Sequence, residues 1–429
     1  MPIDRQRDKP SVSLVPEHLT ILPARLAIFV GLTLLSAACA APVSPLPAVE
    51  SLMPASASSA AAAATAGATS SAAETCAART LDSMNEGQRV GQLFLIGLSG
   101  DQLGPDELAA IETDHFGSVW FTETSETGVS GIRSVSDAVQ AIAAAAAAVS
   151  GTPEVGFFVA ANQEGGLVQA LNGRGFSTIP RALAQGLISP SSLESDAARW
   201  GGQLQAAGIN LNFAPVSDVV PPGTDAQNQP IGVLQREFAH DPATVGSHAA
   251  AFVRGMTKAG ILTVAKHFPG LGRVVGNTDF AAGVVDTVTT SNDQNLGAFR
   301  DVIGANVPFV MVALATYTKI DPSHLAAFSS VVIDNLLRGQ LGFRGLVMSD
   351  DLGATAAVAD IPPATRAVEF ISAGGNMIIS KTLQPALAMA VAITARTSTD
   401  PGFRTLVNDA ALRVLQLKQA AHLLSCATP

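Results

Sequence analysis

The sequence predicts an α/β protein built as a single (β/α)8 TIM barrel, preceded by a leader and a flexible tether. Three observations predict it. Eight short apolar runs recur between Leu93 and Ile379, longer stretches of helical periodicity separate them, and the series continues without a second lobe. An open doubly wound sheet is the competing arrangement for the same alternation. Hydrophobic residues make up 48% of the 429 positions and charged residues 14%, so the bulk of the chain has enough apolar surface to fold. The 25 Lys and Arg stand against 35 Asp and Glu, a formal charge of −10. Nucleic-acid affinity draws mainly on cations that neutralise phosphate, so no nucleic-acid partner is expected.

Residues 1–39 read as a signal or lipoprotein leader. Arg25 precedes the apolar run Leu26 to Ala38, which is too short for a bilayer span but fits the apolar core of a secretory signal. The run ends Leu34-Leu35-Ser36-Ala37-Ala38-Cys39, which resembles a bacterial lipobox with Ser36 where leucine is usual. Lipidation of Cys39 is the expectation, with simple cleavage after the small residues or a retained anchor as the alternatives. An exported protein of the cell envelope, held at the membrane by an N-terminal lipid anchor, would follow. Residues 40–75 are almost entirely Ala, Ser, Pro and Thr. Such a segment buries too little to offset its ordering entropy and reads as a linker.

The barrel domain is assigned to 76–429. Cys76 opens it and Cys426 lies near its end. In an oxidising compartment these two are expected to form a disulfide, which the chain-entropy model values at roughly 5–6 kcal/mol as an upper bound; two unpaired thiols are the alternative.

In order, the strands are expected at Leu93 to Gly97, Ser118 to Phe121, Gly156 to Ala160, Leu211 to Ala214, Leu262 to Ala265, Phe309 to Val312, Leu346 to Met348 and Met377 to Ile379. Helical periodicity is read at Val135 to Val149, Leu193 to Ala207, Ala243 to Ala259, Ala364 to Ala373 and Leu383 to Ala395, with a closing helix near Phe403 to Leu424. In such a barrel the chemistry sits at the carboxyl ends of the strands. There the chain reads Asn162-Gln163-Glu164-Gly165-Gly166 after the third strand, Lys266-His267-Phe268-Pro269-Gly270 and then Asn277-Thr278-Asp279 after the fifth, and Ser349-Asp350-Asp351-Leu352-Gly353 after the seventh. The glycine pair allows a tight turn and close backbone approach to a ligand. Burying a Lys-His pair costs desolvation without a packing gain, which favours a site over a structural network.

With Gly87-Gln88-Arg89-Val90-Gly91-Gln92-Leu93, Phe213-Ala214-Pro215-Val216 and Arg236-Glu237-Phe238, these segments fall in an order that resembles glycoside hydrolase family 3 over roughly Leu81 to Leu424. The likeness is to the single-domain bacterial β-N-acetylhexosaminidases that trim peptidoglycan fragments. It implies retaining hydrolysis of β-linked amino sugars or related glycosides. By position Asp350 is the nucleophile, facing the anomeric carbon as an ionised carboxylate. Asp351 is the better candidate for a helix N-cap. Asn162, Arg236, Lys266 and His267 fall on the sugar-binding positions.

The chain departs from that pattern at several places. Where the family branch carries an Asp-Ser-His triplet with its acid/base histidine, this chain has Asn277-Thr278-Asp279. Asp279 is the remaining proton donor, provided burial near Asp350 keeps it neutral. Asn162 replaces the family's aspartate, Leu167 and Ala170 replace arginines, and Leu271 replaces a histidine. Trp120, Trp200 and Tyr317 are the few rings available for stacking, which disfavours a long polysaccharide cleft.

The expected partner is a small glycan or peptidoglycan fragment, on a monomer. No cofactor is expected, and no metal, because neither a His-Glu-x-x-His helix nor paired Cys-x-x-Cys motifs occur. A catalytically impaired relative that binds glycan fragments or a partner protein, and a solute-binding lipoprotein, are the alternatives. Hydrolysis of an activated aryl glycoside separates them.

Overall fold

The computed structural model describes residues 76–150 and 153–425. The leader with Cys39, the tether and Cys426 lie outside the described residues; Cys76 is disulfide-bonded.

Eight parallel strands close a barrel: β1 (Phe94–Leu98), β2 (Ser118–Phe121), β3 (Phe158–Ala161), β4 (Leu211–Asn212), β5 (Leu262–Phe268), β6 (Phe309–Val312), β7 (Leu346–Asp351) and β8 (Met377–Ser380). Each strand pairs with its sequence neighbours and β8 returns to β1, so the barrel, not the doubly wound sheet, is the fold. A long helix follows each strand: α1 (Pro105–Asp114), α2 (Gly128–Ser150), α3 (Pro190–Ala206), α4 (Pro242–Lys258), α5 (Leu296–Gly304), α6 (Val331–Gln340), α7 (Pro363–Ser372) and α8 (Leu383–Thr399). A ninth, α9 (Pro401–Ala420), closes the chain.

The strand pleat sorts side chains to two sides. Leu95, Trp120, Phe158, Phe309, Met348 and Met377 fill the barrel interior, where the Phe158 and Phe309 rings meet edge to face at 5.6 Å. Their neighbours Phe94, Val119, Val159, Val310, Val347 and Ile378 point outward under the helices. Both faces of each strand are buried, which is why the strands read as continuous apolar runs.

Three helices start with the same device. Ser189, Asp241 and Asp400 each accept a backbone amide of the first turn, and each is followed by proline at the first helical position. Such a cap contributes about 1 kcal/mol.

The N-terminal end of the barrel is sealed by Lys418 from α9. Its ammonium is fully buried, donates to Gln92 Oε1 at 2.7 Å and Gly117 O at 2.8 Å, and lies 5.4 Å from the Phe158 ring centre.

Several boundaries differ from expectation. Helix α2 begins at Gly128, a full two turns before Val135. The closing helix stops at Ala420, and Leu424–Ser425 instead pairs antiparallel with Glu154–Val155. Helices α1, α5 and α6 are required by the (β/α)8 arrangement but were given no bounds from the sequence. The β-branched start of α6, Val331-Val332-Ile333, lowers helix propensity, and this segment is wound as a π-helix.

Candidate active site

The alternation that packs the barrel also aims the site. On β3 the inward residues Phe158 and Ala160 are followed, two places on, by Asn162; on β5 Val264 is followed by Lys266. On β7 Leu346 and Met348 lead to Asp350, and on β8 Ile379 leads to Lys381. Asn162, Lys266, Asp350 and Lys381 therefore form the polar layer above the apolar interior, at the carboxyl ends of the strands. All four line one cavity of about 330 Å³, together with Arg236, His267 and Asp279. The six residues singled out from the sequence as catalytic or sugar-binding thus meet in a single pocket. Its apolar wall includes Trp120, Phe213, Leu271 and Met311.

A buried carboxylate organises the cations. Glu164 Oε1 lies 2.6 Å from Lys266 Nζ, and both Glu164 oxygens accept from Arg236, at 2.8 and 2.9 Å. Lys266 Nζ also donates to Asn162 Oδ1 at 2.9 Å, and Arg236 Nη1 donates to Pro230 O at 2.9 Å. Burial alone would raise the Glu164 carboxyl, but the charges of Arg236 and Lys266 hold it at about 2. Burial in turn pushes Lys266 below the usual lysine range, against the opposing pull of Glu164. Glu164 sits on a small hairpin, Gln163–Gly165 paired with Val168–Gln169. The glycines that turn it approach protein rather than an open ligand space: Gly165 has φ +108°, and a Cβ there would lie 2.4 Å from Pro180 O.

His267 is held by a second buried carboxylate. Asp218 Oδ2 accepts from His267 Nδ1 at 2.8 Å, and Asp218 Oδ1 accepts the Leu271 amide at 2.7 Å. That bond places the Nδ1 proton and leaves Nε2 as the ring nitrogen available to a ligand. The Lys266–His267 peptide is cis.

The two carboxyls intended for chemistry lie on neighbouring loops. Asp350 ends β7, and its Oδ1 accepts the amide of Asp351 at 2.8 Å. Asp279 belongs to the loop after β5, which is docked onto the loop after β7: Ala357 N donates to Thr278 O at 3.0 Å and Ala356 N to Asp279 O at 3.1 Å. Asn277 Oδ1 accepts the Asp279 amide at 3.0 Å and shapes the turn. Asp279 lines the cavity but is exposed to solvent, so the burial expected for it from the sequence is incomplete. Desolvation, followed by the charge of Asp350, raises its carboxyl above the usual aspartate range.

Asp351 does not cap a helix. Its Oδ1 accepts the amides of Gly353 and Lys381, both at 2.8 Å, and Oδ2 accepts that of Ala354 at 3.1 Å, so it ties the β7 loop to the end of β8. Of the possible stacking rings only Trp120 reaches the cavity. Trp200 packs on Phe252 between α3 and α4, and Tyr317 is buried with its hydroxyl on Gly270 O.

Residues 87–417 match the Glycosyl hydrolase family 3 N terminal domain. The chain belongs to glycoside hydrolase family 3. Among the relatives of this family 3 chain is a β-hexosaminidase of Xylella fastidiosa strain M23, 35% identical over 206 residues that cover 46% of this chain and 59% of that protein. Another is a β-hexosaminidase of Stenotrophomonas maltophilia strain K279a, 32% identical over 52% of this chain and 66% of that protein. The chain thus spans less than two thirds of either relative. The β-N-acetylhexosaminidase of Beutenbergia cavernae DSM 12333 superposes with a TM-score of 0.75 at 46% identity, covering 78% of this chain and 98% of that one.

Three residues of this family 3 site were not singled out from the sequence: Glu164, Asp218 and Lys381. Glu164 was quoted only as part of a turn, although a lone acid between Gln163 and two glycines at a strand end was a usable signal. Asp218 lies in irregular chain after β4, and nothing local set it apart.

Proposed function

We propose that this family 3 protein is a glycosidase that hydrolyses short β-linked amino-sugar glycosides with retention, with Asp350 as nucleophile and Asp279 as acid/base. The observation that carries the reading is the placement of Asp350 at the top of β7, in one cavity with a second carboxyl whose proton is held more tightly than usual. In the first step Asp350 attacks the anomeric carbon and the C–O bond to the aglycone breaks. The departing oxygen takes the proton of Asp279, and a covalent glycosyl ester remains. In the second step Asp279, now ionised, removes a proton from water. That water attacks the anomeric carbon and releases Asp350. A proton donor at neutral pH must resist ionisation, which the raised Asp279 carboxyl supports.

Recognition is assigned to groups that already face the cavity. Arg236 and Lys266, fixed by Glu164, present donors to hydroxyl or carbonyl oxygens, and His267 offers Nε2. Trp120 supplies an apolar face, and its Nε1 has no partner among the described residues. The pocket volume fits one sugar ring better than a polymer. Peptidoglycan fragments are the proposed substrates, and export with attachment through Cys39 the proposed location. The apolar leader core and the bonded state of Cys76 support export, since disulfides persist in oxidising compartments.

An aryl β-N-acetylglucosaminide with a good leaving group is the test. Wild type is expected to hydrolyse it, Asp350→Ala to be inactive, and Asp279→Ala to regain glycosyl transfer when azide is supplied. Binding of the sugar without turnover by wild type would replace this reading with that of a glycan-binding relative.

A further inference from the structure

The loop that follows β4 carries Arg236 into the pocket, and beside that arginine lies a polar cluster the reaction does not use. Glu237 is fully buried, and neither of its carboxylate oxygens has a hydrogen-bond partner among the described residues. Next to it stand Asp225, whose buried Oδ1 also lacks a hydrogen bond, and His240. One ligand-type atom from each of the three lies within 4.8 Å of the others. His240 Nδ1 is 3.5 Å from Asp225 Oδ1 and 3.3 Å from Val220 O.

We propose that Asp225, Glu237 and His240 bind one divalent transition-metal ion, of the zinc class, which clamps the two ends of the Arg236 loop. Asp225 is partly exposed and Glu237 is buried, and two carboxylates this close repel unless a cation or a shared proton lies between them. Among the described residues no lysine or arginine pairs with Glu237: the neighbouring Arg236 is turned to Glu164 and Pro230. An imidazole beside two carboxylates suits zinc better than magnesium or calcium, which favour oxygen ligands alone. Ligands bound at about 2.0–2.2 Å from zinc stand at most roughly twice that apart, so donors already this close need only small rotations. The three ligands are spaced irregularly along the loop, unlike the helical and paired-cysteine motifs by which metal sites are read from sequence.

The consequence is structural rather than chemical. The metal would not touch the sugar; it would fix the loop that supplies Arg236, Pro230 and Leu234 to the cavity. The test uses the full chain after chelator treatment and dialysis into zinc-free buffer, titrated with zinc chloride by calorimetry and followed in parallel by thermal unfolding. One equivalent of zinc should bind and raise the Tm. Glu237→Gln should weaken binding at least tenfold and abolish the Tm increase. His240 is half-buried and tolerates truncation better, so His240→Ala keeps the test decisive if Glu237→Gln does not fold. Equal zinc affinity in wild type and His240→Ala would place the ion elsewhere and overturn the proposal. So would a wild type whose Tm ignores zinc, which would mean that Glu237 and Asp225 share a proton instead.

Discussion

Asp218 Oδ2 lies 2.8 Å from His267 Nδ1, and the same carboxylate accepts the backbone amide of Leu271. Asp218 is fully buried, so it acts on a ligand only through the histidine. Asp218→Asn keeps the volume but places an amide against two donors. Its kcat/KM on an aryl glycoside should fall about tenfold or more, which is about 1.4 kcal/mol of transition-state stabilisation. Unchanged circular dichroism together with unchanged kinetics would show that His267 needs no such partner.

Glu164 is the hub for Arg236 and Lys266, so removing its charge strands two buried cations. Glu164→Gln should destabilise the fold by about 3–5 kcal/mol, read from urea unfolding at neutral pH. The pH dependence has a definite sign. The folded-state carboxyl is held at about 2, below its ordinary value, so its stabilisation is present above the ordinary carboxylate range and is lost as pH falls toward 2. Between pH 5 and pH 2 the wild type should therefore lose more stability than Glu164→Gln.

Asp279 works as an acid only while protonated. Its carboxyl is raised by desolvation and by Asp350, so activity should fall with rising pH along a limb that lies above the ordinary aspartate range. Asp279→Asn should lose that limb. With a poorly departing alcohol its kcat should drop by about 10²–10⁴-fold, and with an activated phenol much less. Equal losses on both substrates would remove Asp279 from the acid role.

Lys418 gives a test at the opposite end of the barrel. Burial lowers its ammonium to about 7, whereas in the unfolded chain it titrates near 10.5. From pH 7 toward 10 the unfolded state binds more protons at this residue, so stability should rise with pH across that window. Lys418→Met should show a flatter rise in Tm from pH 7 to 9 than the wild type. An identical slope would contradict the burial argument.

Much of this arrangement was legible in the sequence, for physical reasons. All eight strands were found because a strand buried on both faces leaves a short apolar run, whereas the apolar runs of α2 and α8 are longer and rich in alanine. The same period of two carries Asn162, Lys266 and Asp350 to the top of the interior, so three pocket residues were within reach once their strands were found. Helix α1 was given no bounds although Pro105, Asp106 and Glu107 mark its start. The partners that hold the site were harder. Glu164 and Asp218 act through contacts 72 and 49 residues away in the chain, and no local pattern encodes those.

Hydrolysis with retention requires that Asp350 form a covalent bond with the sugar. That bond is tested most directly by incubating the full chain with a fluorinated amino-sugar glycosyl fluoride, which forms the glycosyl ester quickly and releases it slowly, followed by peptide mass spectrometry. One glycosyl adduct per chain is expected, on Asp350. An adduct on another residue, or none from a protein that still binds the sugar, would contradict it.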